Sequence, residues 1–254
     1  RLEGEVDNKA GAEIFWKIDS SRQLNAAFNP DFGQVESDDV VINFSASETF
    51  YSDKRPFFSE NHNLFNVQGS RFFYVINTRR IGASPDYNCS EDFPLQQELC
   101  EDSQKGANDI DTAFRYTQQG EIFDVGFLGA FEANEKFSEG KDFYAVRLRT
   151  KRDNLTVGYL GTYVNRPVIN RTAKVNALDF EYRPSNIRRL SGTALASDVN
   201  GEKGYGFNLG YGYDPSKNRH NGVGVFYVDE DLDMKDMGYL WRNNLLMISG
   251  RALI

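Results

Sequence analysis

The chain has 254 residues, with 29 Lys and Arg against 37 Asp and Glu, and a formal net charge of −8. That length suits one large all-β domain or two small ones, and the negative balance argues against a nucleic-acid partner, whose phosphates demand a basic face. No apolar run is long enough for a membrane-spanning helix. This does not argue against a membrane β-barrel, which carries its hydrophobicity in every second residue.

The sequence opens on the charged Arg1-Leu2-Glu3-Gly4-Glu5, so any targeting segment is expected to lie outside it. Residues 29–82 then carry four compact motifs. The first is Asn29-Pro30-Asp31-Phe32-Gly33-Gln34-Val35-Glu36-Ser37-Asp38, followed by Val41-Ile42-Asn43 with Glu48-Thr49-Phe50. Next come Lys54-Arg55-Pro56-Phe57-Phe58 with Glu60, and then Arg79-Arg80-Ile81-Gly82. Asn29-Pro30-Asp31-Phe32-Gly33 stops a strand, because Pro lacks the N–H of a central ladder and Gly permits a sharp reversal.

Residues 84–111 read as a loop containing Cys89 and Cys100, the only two cysteines. Their spacing is too wide for the common zinc pairs, and His62 and His220 supply no ligand cluster, so no metal is expected. A disulfide closing an exposed loop is the expectation, in keeping with an oxidising compartment. The competing reading is a thiol nucleophile paired with His62.

From about residue 113 onward the sequence breaks into segments of roughly ten residues, the span of a tilted strand across a bilayer. Tyr205, Phe207, Leu209, Tyr211 and Tyr213 alternate with Gly206, Asn208, Gly210 and Gly212, so one face is a ladder of large groups and the other is almost bare. Phe123, Val125, Phe127 and Phe131 oppose Asp124, Gly126, Ala130 and Glu132 in the same way. Tyr144, Val146 and Leu148 oppose Ala145, Arg147, Arg149 and Lys151, and Leu178, Phe180 and Tyr182 oppose Asp179, Glu181 and Arg183. About nine strands are expected after residue 110 and two to four before it. Residues 214–222 read as loop throughout, and Asp229-Glu230-Asp231-Leu232-Asp233-Met234-Lys235-Asp236 reads as an acidic surface loop that lacks calcium-loop spacing.

A soluble sandwich also alternates. Aromatic residues near the strand ends and charges on the opposite face favour an outer-membrane barrel with a wet lumen. The four motifs, in their order and spacing, resemble the signature of a large, little-characterised group of Gram-negative outer-membrane β-barrel proteins. In that group the barrel usually follows a periplasmic module similar to family-nine carbohydrate-binding domains. The resemblance implies a barrel, an outer-membrane address and a link to glycans, and it implies no reaction. It also implies that the barrel continues past Ile254, so the sequence is expected to be a portion of a longer protein.

The expected fold is therefore all-β: one antiparallel transmembrane β-barrel domain over residues 1–254, with residues 29–66 folded into the lumen as a plug. The expected luminal network comprises Asp31, Glu36, Asp38, Lys54, Arg55, Glu60, Arg79, Arg80, Arg147, Arg149, Asp179 and Glu181. In it, Lys54 and Arg55 are expected to meet acids of their own segment or inward acids such as Asp124, Glu132, Asp179 and Glu181. No cofactor and no catalytic residue is expected, since no G-x-S-x-G elbow occurs and neither His sits in a triad context. Partners are expected to be outer-membrane lipid and lipopolysaccharide, with a glycan or another envelope protein. The function this suggests is solute passage or capture, or a scaffold in an envelope complex. The alternatives are a barrel-borne hydrolase on carbohydrate, whose carboxylates would pair in space, and a soluble lectin-like sandwich.

Overall fold

The computed structural model describes residues 10–30, 50–67, 72–89, 98–101 and 106–252. It is an all-β antiparallel structure. Eleven strands form one sheet in nearly sequential order. They are β1 (Ala12–Lys17), β2 (Arg22–Phe28), β4 (Ile110–Gln119), β5 (Phe123–Glu132), β6 (Asp142–Arg152), β7 (Leu155–Arg166), β8 (Arg171–Ser185), β9 (Arg188–Val199), β10 (Glu202–Ser216), β11 (Arg219–Val228) and β13 (Leu245–Ala252). Two short strands, β3 (Phe73–Tyr74) and β12 (Tyr239–Leu240), pair separately. No two-sheet sandwich forms among the described residues: β1 and β13 are the free edges of one open sheet. No described helix is long and apolar enough to cross a membrane, which says nothing about strands.

Hairpin chemistry sets this order. Asn200 and Gly201 both have positive φ, 51° and 93°, the pair of left-handed conformations that a tight turn between twisted strands requires. The stretch 214–222 is a correction to the loop expectation. β10 runs through Pro215 to Ser216 and β11 restarts at Arg219, with a register shift between Tyr213 and Ser216. Pro215 is accommodated because an irregular strand end needs no continuous ladder.

The alternation is realised with an unusual polarity. Val125, Leu148, Tyr159, Leu178, Phe207, Tyr227 and Leu246 lie on one outward face across seven strands from β5 to β13, in one register row broken only at β9 by Ala194. Among the described residues they meet no other layer; Leu178 is 59% exposed and Leu246 62%. The buried core is on the opposite, inward face. There Ala113, Leu128, Ala145, Leu160, Ala177, Leu195 and Phe226 pack against two chain segments laid over the sheet. The first segment holds α1 (Pro56–Ser59), a 3-10 turn at His62–Phe65, β3 and a 3-10 turn at Thr78–Arg80. It contributes Phe57, Phe58, Leu64, Phe73 and Ile81 to the core. The second, residues 229–244, contributes Leu232, Met234, Met237 and Leu240. This corrects the expectation of an acidic surface loop: Leu232 and Met234 between the acids, and Met237 just after them, are buried, so the run folds inward.

Glycines make room for both segments. A Cβ on Gly126 would lie 2.9 Å from the Phe65 ring, and one on Gly204 would lie 2.2 Å from the backbone of Asp231 and Leu232. The bare face in the sequence is a docking surface.

Candidate functional site

The inward face and its two covering segments bring most of the expected residues together, though as separate clusters instead of one network. Asp31, Glu36 and Asp38 lie outside the described residues.

Arg55 sits at the start of α1, where Pro56 opens the turn and Phe57 and Phe58 anchor it in the core. Its guanidinium donates to Asp53 Oδ2 at 2.8 Å, to the Thr78 carbonyl at 2.7 Å and to the Ile81 carbonyl at 2.9 Å, and it lies 4.4 Å over the Phe58 ring. The Arg55 side chain thus ties residues 53–55 to residues 78–81. Burial pushes the Asp53 carboxyl up. Hydrogen bonds and charge from Arg55, with the Thr78 hydroxyl, outweigh this and hold it below its usual range. Lys54 is exposed, Arg79 lies 5.4 Å over the Tyr51 ring, and Arg80 Nε donates to the Gly238 carbonyl, linking the two inward segments.

Glu60 reaches the wall. Its Oε2 accepts from Gln23 at 2.8 Å, Asn25 at 3.0 Å and Arg115 at 3.2 Å, on β2 and β4. Arg147 and Asp179 form a wholly buried bidentate pair, and Arg147 Nε also donates to the Leu64 carbonyl at 3.1 Å. Arg149 and Lys151 both bind Asp124. Glu181 accepts from Arg183 at 2.7 Å.

Arg55 meets an acid of its own segment, Asp53, which is one of the two alternatives expected for it; the described strand acids have other partners. Asp124, Asp179 and Glu181 take cations from neighbouring strand positions, which the register already holds within reach. Glu132 accepts instead from the Gly82 N–H at 2.8 Å and from Asn108, with Lys141 nearby. Gly82 has φ +76°, a conformation that favours glycine, which explains the last residue of the Arg-Arg-Ile-Gly motif.

Sequence reasoning missed one cluster entirely. Arg166 and Arg171, flanking the turn between β7 and β8, bind Asp86, Asp233 and Asp236. Burial pushes the Asp86 and Asp236 carboxyls up, but hydrogen bonds from Arg166 to both and from Arg171 to Asp236 leave both below the usual range. A signal was present: an acidic run interrupted by Leu232 and Met234 and followed by Met237 has an apolar anchor that a solvated loop lacks.

Cys89 and Cys100 form a disulfide, which removes any thiol nucleophile for His62. Among the described residues no group of three or more His, Cys, Asp or Glu side chains is arranged to hold a metal ion. Chemically, the inward face is a polar wall whose charges are largely neutralised in pairs. Within the first covering segment, a partly open cavity of about 380 Å³ is lined by Phe50, Asp53, Phe58, His62, Asn63, Asn66, Tyr74 and Asn77.

No curated protein and no solved structure matches this chain significantly. A family model described as a domain of unknown function, DUF5916, matches residues 2–137, more than half of the 254 residues. That stretch contains the four motifs, the disulfide and the first two of the long strands, β4 and β5; the chain belongs to the DUF5916 family.

Proposed function

We propose that this chain builds the wall and the filling of a bacterial outer-membrane β-barrel whose role is passage or capture of a solute. The observation that carries the reading is the reversed polarity of the sheet. Its outward face is apolar and uncovered, with Ile248 71% exposed, while its inward face holds the ion pairs. In water such a face is a large aggregation surface, whereas in hydrocarbon it is the lipid contact. The strands from β4 to β11 have 10 to 15 residues, enough to cross a bilayer when tilted.

The free edges of β1 and β13 carry unpaired backbone groups, which hydrocarbon does not tolerate. In this reading further strands join those edges and close the barrel around residues 50–82 and 229–244. The lipid and lipopolysaccharide of the outer membrane are then its immediate partners. The motif resemblance to barrels that follow a family-nine-like carbohydrate-binding module supports a glycan as the solute. A barrel-borne hydrolase has less support, because the inward acids Asp124, Glu132, Asp179 and Glu181 are all engaged by cations.

Dilution of urea-unfolded protein into lipid vesicles followed by protease treatment tests the reading. Protection of a fragment spanning β4–β11, with heat-modifiable migration on gels, is expected. Complete digestion in vesicles, alongside a folded, monodisperse protein in plain buffer, overturns it.

A further inference from the structure

We propose that the cavity beside α1 and β3 is a binding site for an uncharged, hydroxyl-rich molecule the size of one or two sugar rings. The proposal deepens the capture reading and rests on it for the site's place in a lumen.

The cavity holds about 380 Å³, within the roughly 300–1,000 Å³ typical of small-molecule sites. One wall is apolar: Phe50 stacks on Tyr74 with ring centroids 4.2 Å apart, and Phe58 and Ile76 adjoin them. The rest is polar and in part uncommitted. The side chains of His62, Asn63, Asn66 and Asn77 line the space and make no hydrogen bond to the rest of the described chain. Each amide supplies both donors and an acceptor, the combination that a hydroxyl group, itself donor and acceptor, satisfies best.

Charge selects further. Among the described residues the only carboxylate lining the cavity is Asp53, already committed to Arg55 and to the Thr78 hydroxyl. His62 is held neutral because burial pushes its pKa below the ordinary 6.5. Among the described lining groups no uncompensated charge is present to hold either a cation or an anion. An aromatic wall facing neutral amides leaves a polyhydroxylated ring, with apolar C–H faces and polar edges, as the ligand that fits both sides.

The test uses the full chain in phosphocholine micelles, which present no sugar headgroup. Probes are glucose, N-acetylglucosamine and cellobiose, with glucuronate and glucosamine as charged controls, read by saturation-transfer NMR and titration calorimetry. At least one neutral probe should bind at millimolar concentration, and the charged controls should not. The Asn63→Ala/Asn66→Ala double variant, at positions that are not buried, should weaken binding about tenfold or more through two lost hydrogen bonds. Failure of all neutral probes, unchanged affinity in the double variant, or equally tight binding of the charged sugars overturns the site. Vesicle protection measured on the same preparation keeps the two proposals apart. Binding without insertion removes the membrane reading and leaves the site, and insertion without binding does the reverse.

Discussion

Arg147 on β6 and Asp179 on β8 meet across the bare backbone of Gly158 on β7, and neither side chain has any solvent exposure. A Cβ on Gly158 would lie 2.6 Å from Arg147 Nη1 and 2.7 Å from Asp179 Oδ1, so the missing side chain makes the pair possible. The Leu64 carbonyl takes the remaining Nε proton and roofs the pair with the inward segment. Asp179→Asn leaves a buried, uncompensated guanidinium and should cost about 3–5 kcal/mol. Arg149→Gln should cost much less, because Asp124 keeps Lys151. Urea titration of both variants in micelles checks the ordering.

The outward row carries the second prediction. Leu209 is outward and exposed, whereas its neighbour Asn208 points to the inward face. Leu209→Arg should impair folding into bilayers by about 2–4 kcal/mol if it lies near the midplane, and Asn208→Arg should be tolerated better. Equal losses in a vesicle-folding titration would count against a lipid-facing row.

Docking of residues 229–244 depends on Gly204. The space its Cβ would need is occupied by the Asp231–Leu232 backbone at 2.2 Å, which has no flexible end to move. Gly204→Ala should cost about 1–3 kcal/mol by overpacking. Gly210→Ala, whose nearest neighbour is Ser191 Oγ at 3.9 Å, should be close to neutral. Thermal melts of the two variants separate a docking glycine from a merely inward one.

Acidification should weaken the inward segments in two stages. His62 is pushed by burial below its ordinary 6.5, with Asp53 opposing and Arg115 adding to the shift, so the folded state resists a proton that the unfolded chain accepts. Stability is therefore full above pH 6.5 and begins to fall as pH drops below it. Asp86 and Asp236 have depressed folded values, so their contribution is full above the ordinary 3.8 and is lost as pH falls below it. Fluorescence of Trp241, next to the second segment's β12, followed against urea at several pH values, should resolve both stages. His62→Gln should remove only the first.

Much of this was legible because a strand's side-chain period is two: Asp124, Glu132, Arg147, Arg149, Asp179 and Glu181 could be assigned to one face without knowing any neighbour. Their partners could not. Which cation faces which acid is set by cross-strand register, and register depends on turn lengths and bulges, such as the shift between Ile110 and Thr112, that periodicity does not report. The inward fold of residues 229–244 was hidden for a related reason. Five acids dominate the local composition, while Leu232 acquires meaning only opposite Gly204 and Gly206.

One buried side chain ties the two ends of the first inward segment together. Arg55 joins Asp53 to the Thr78 and Ile81 carbonyls, and the Arg55 and Asp53 side chains are only 4% and 6% exposed. Arg55→Met keeps the apolar stem against Phe58 but leaves the Asp53 carboxylate buried without its cation and the Ile81 carbonyl without its described donor, while the Thr78 carbonyl keeps the Ile81 N–H. The cost should be about 3–5 kcal/mol, the range for breaking a buried pair. It should also be local, because no described contact joins Arg55 to the β5–β9 ladder. Hydrogen exchange should therefore speed up across residues 50–67 and 72–82 while amides of β5–β9 stay protected. Uniform acceleration across segment and sheet would mean that they unfold as one unit. Unchanged exchange in the segment would mean that Phe57, Phe58 and Leu64 hold it without the tie.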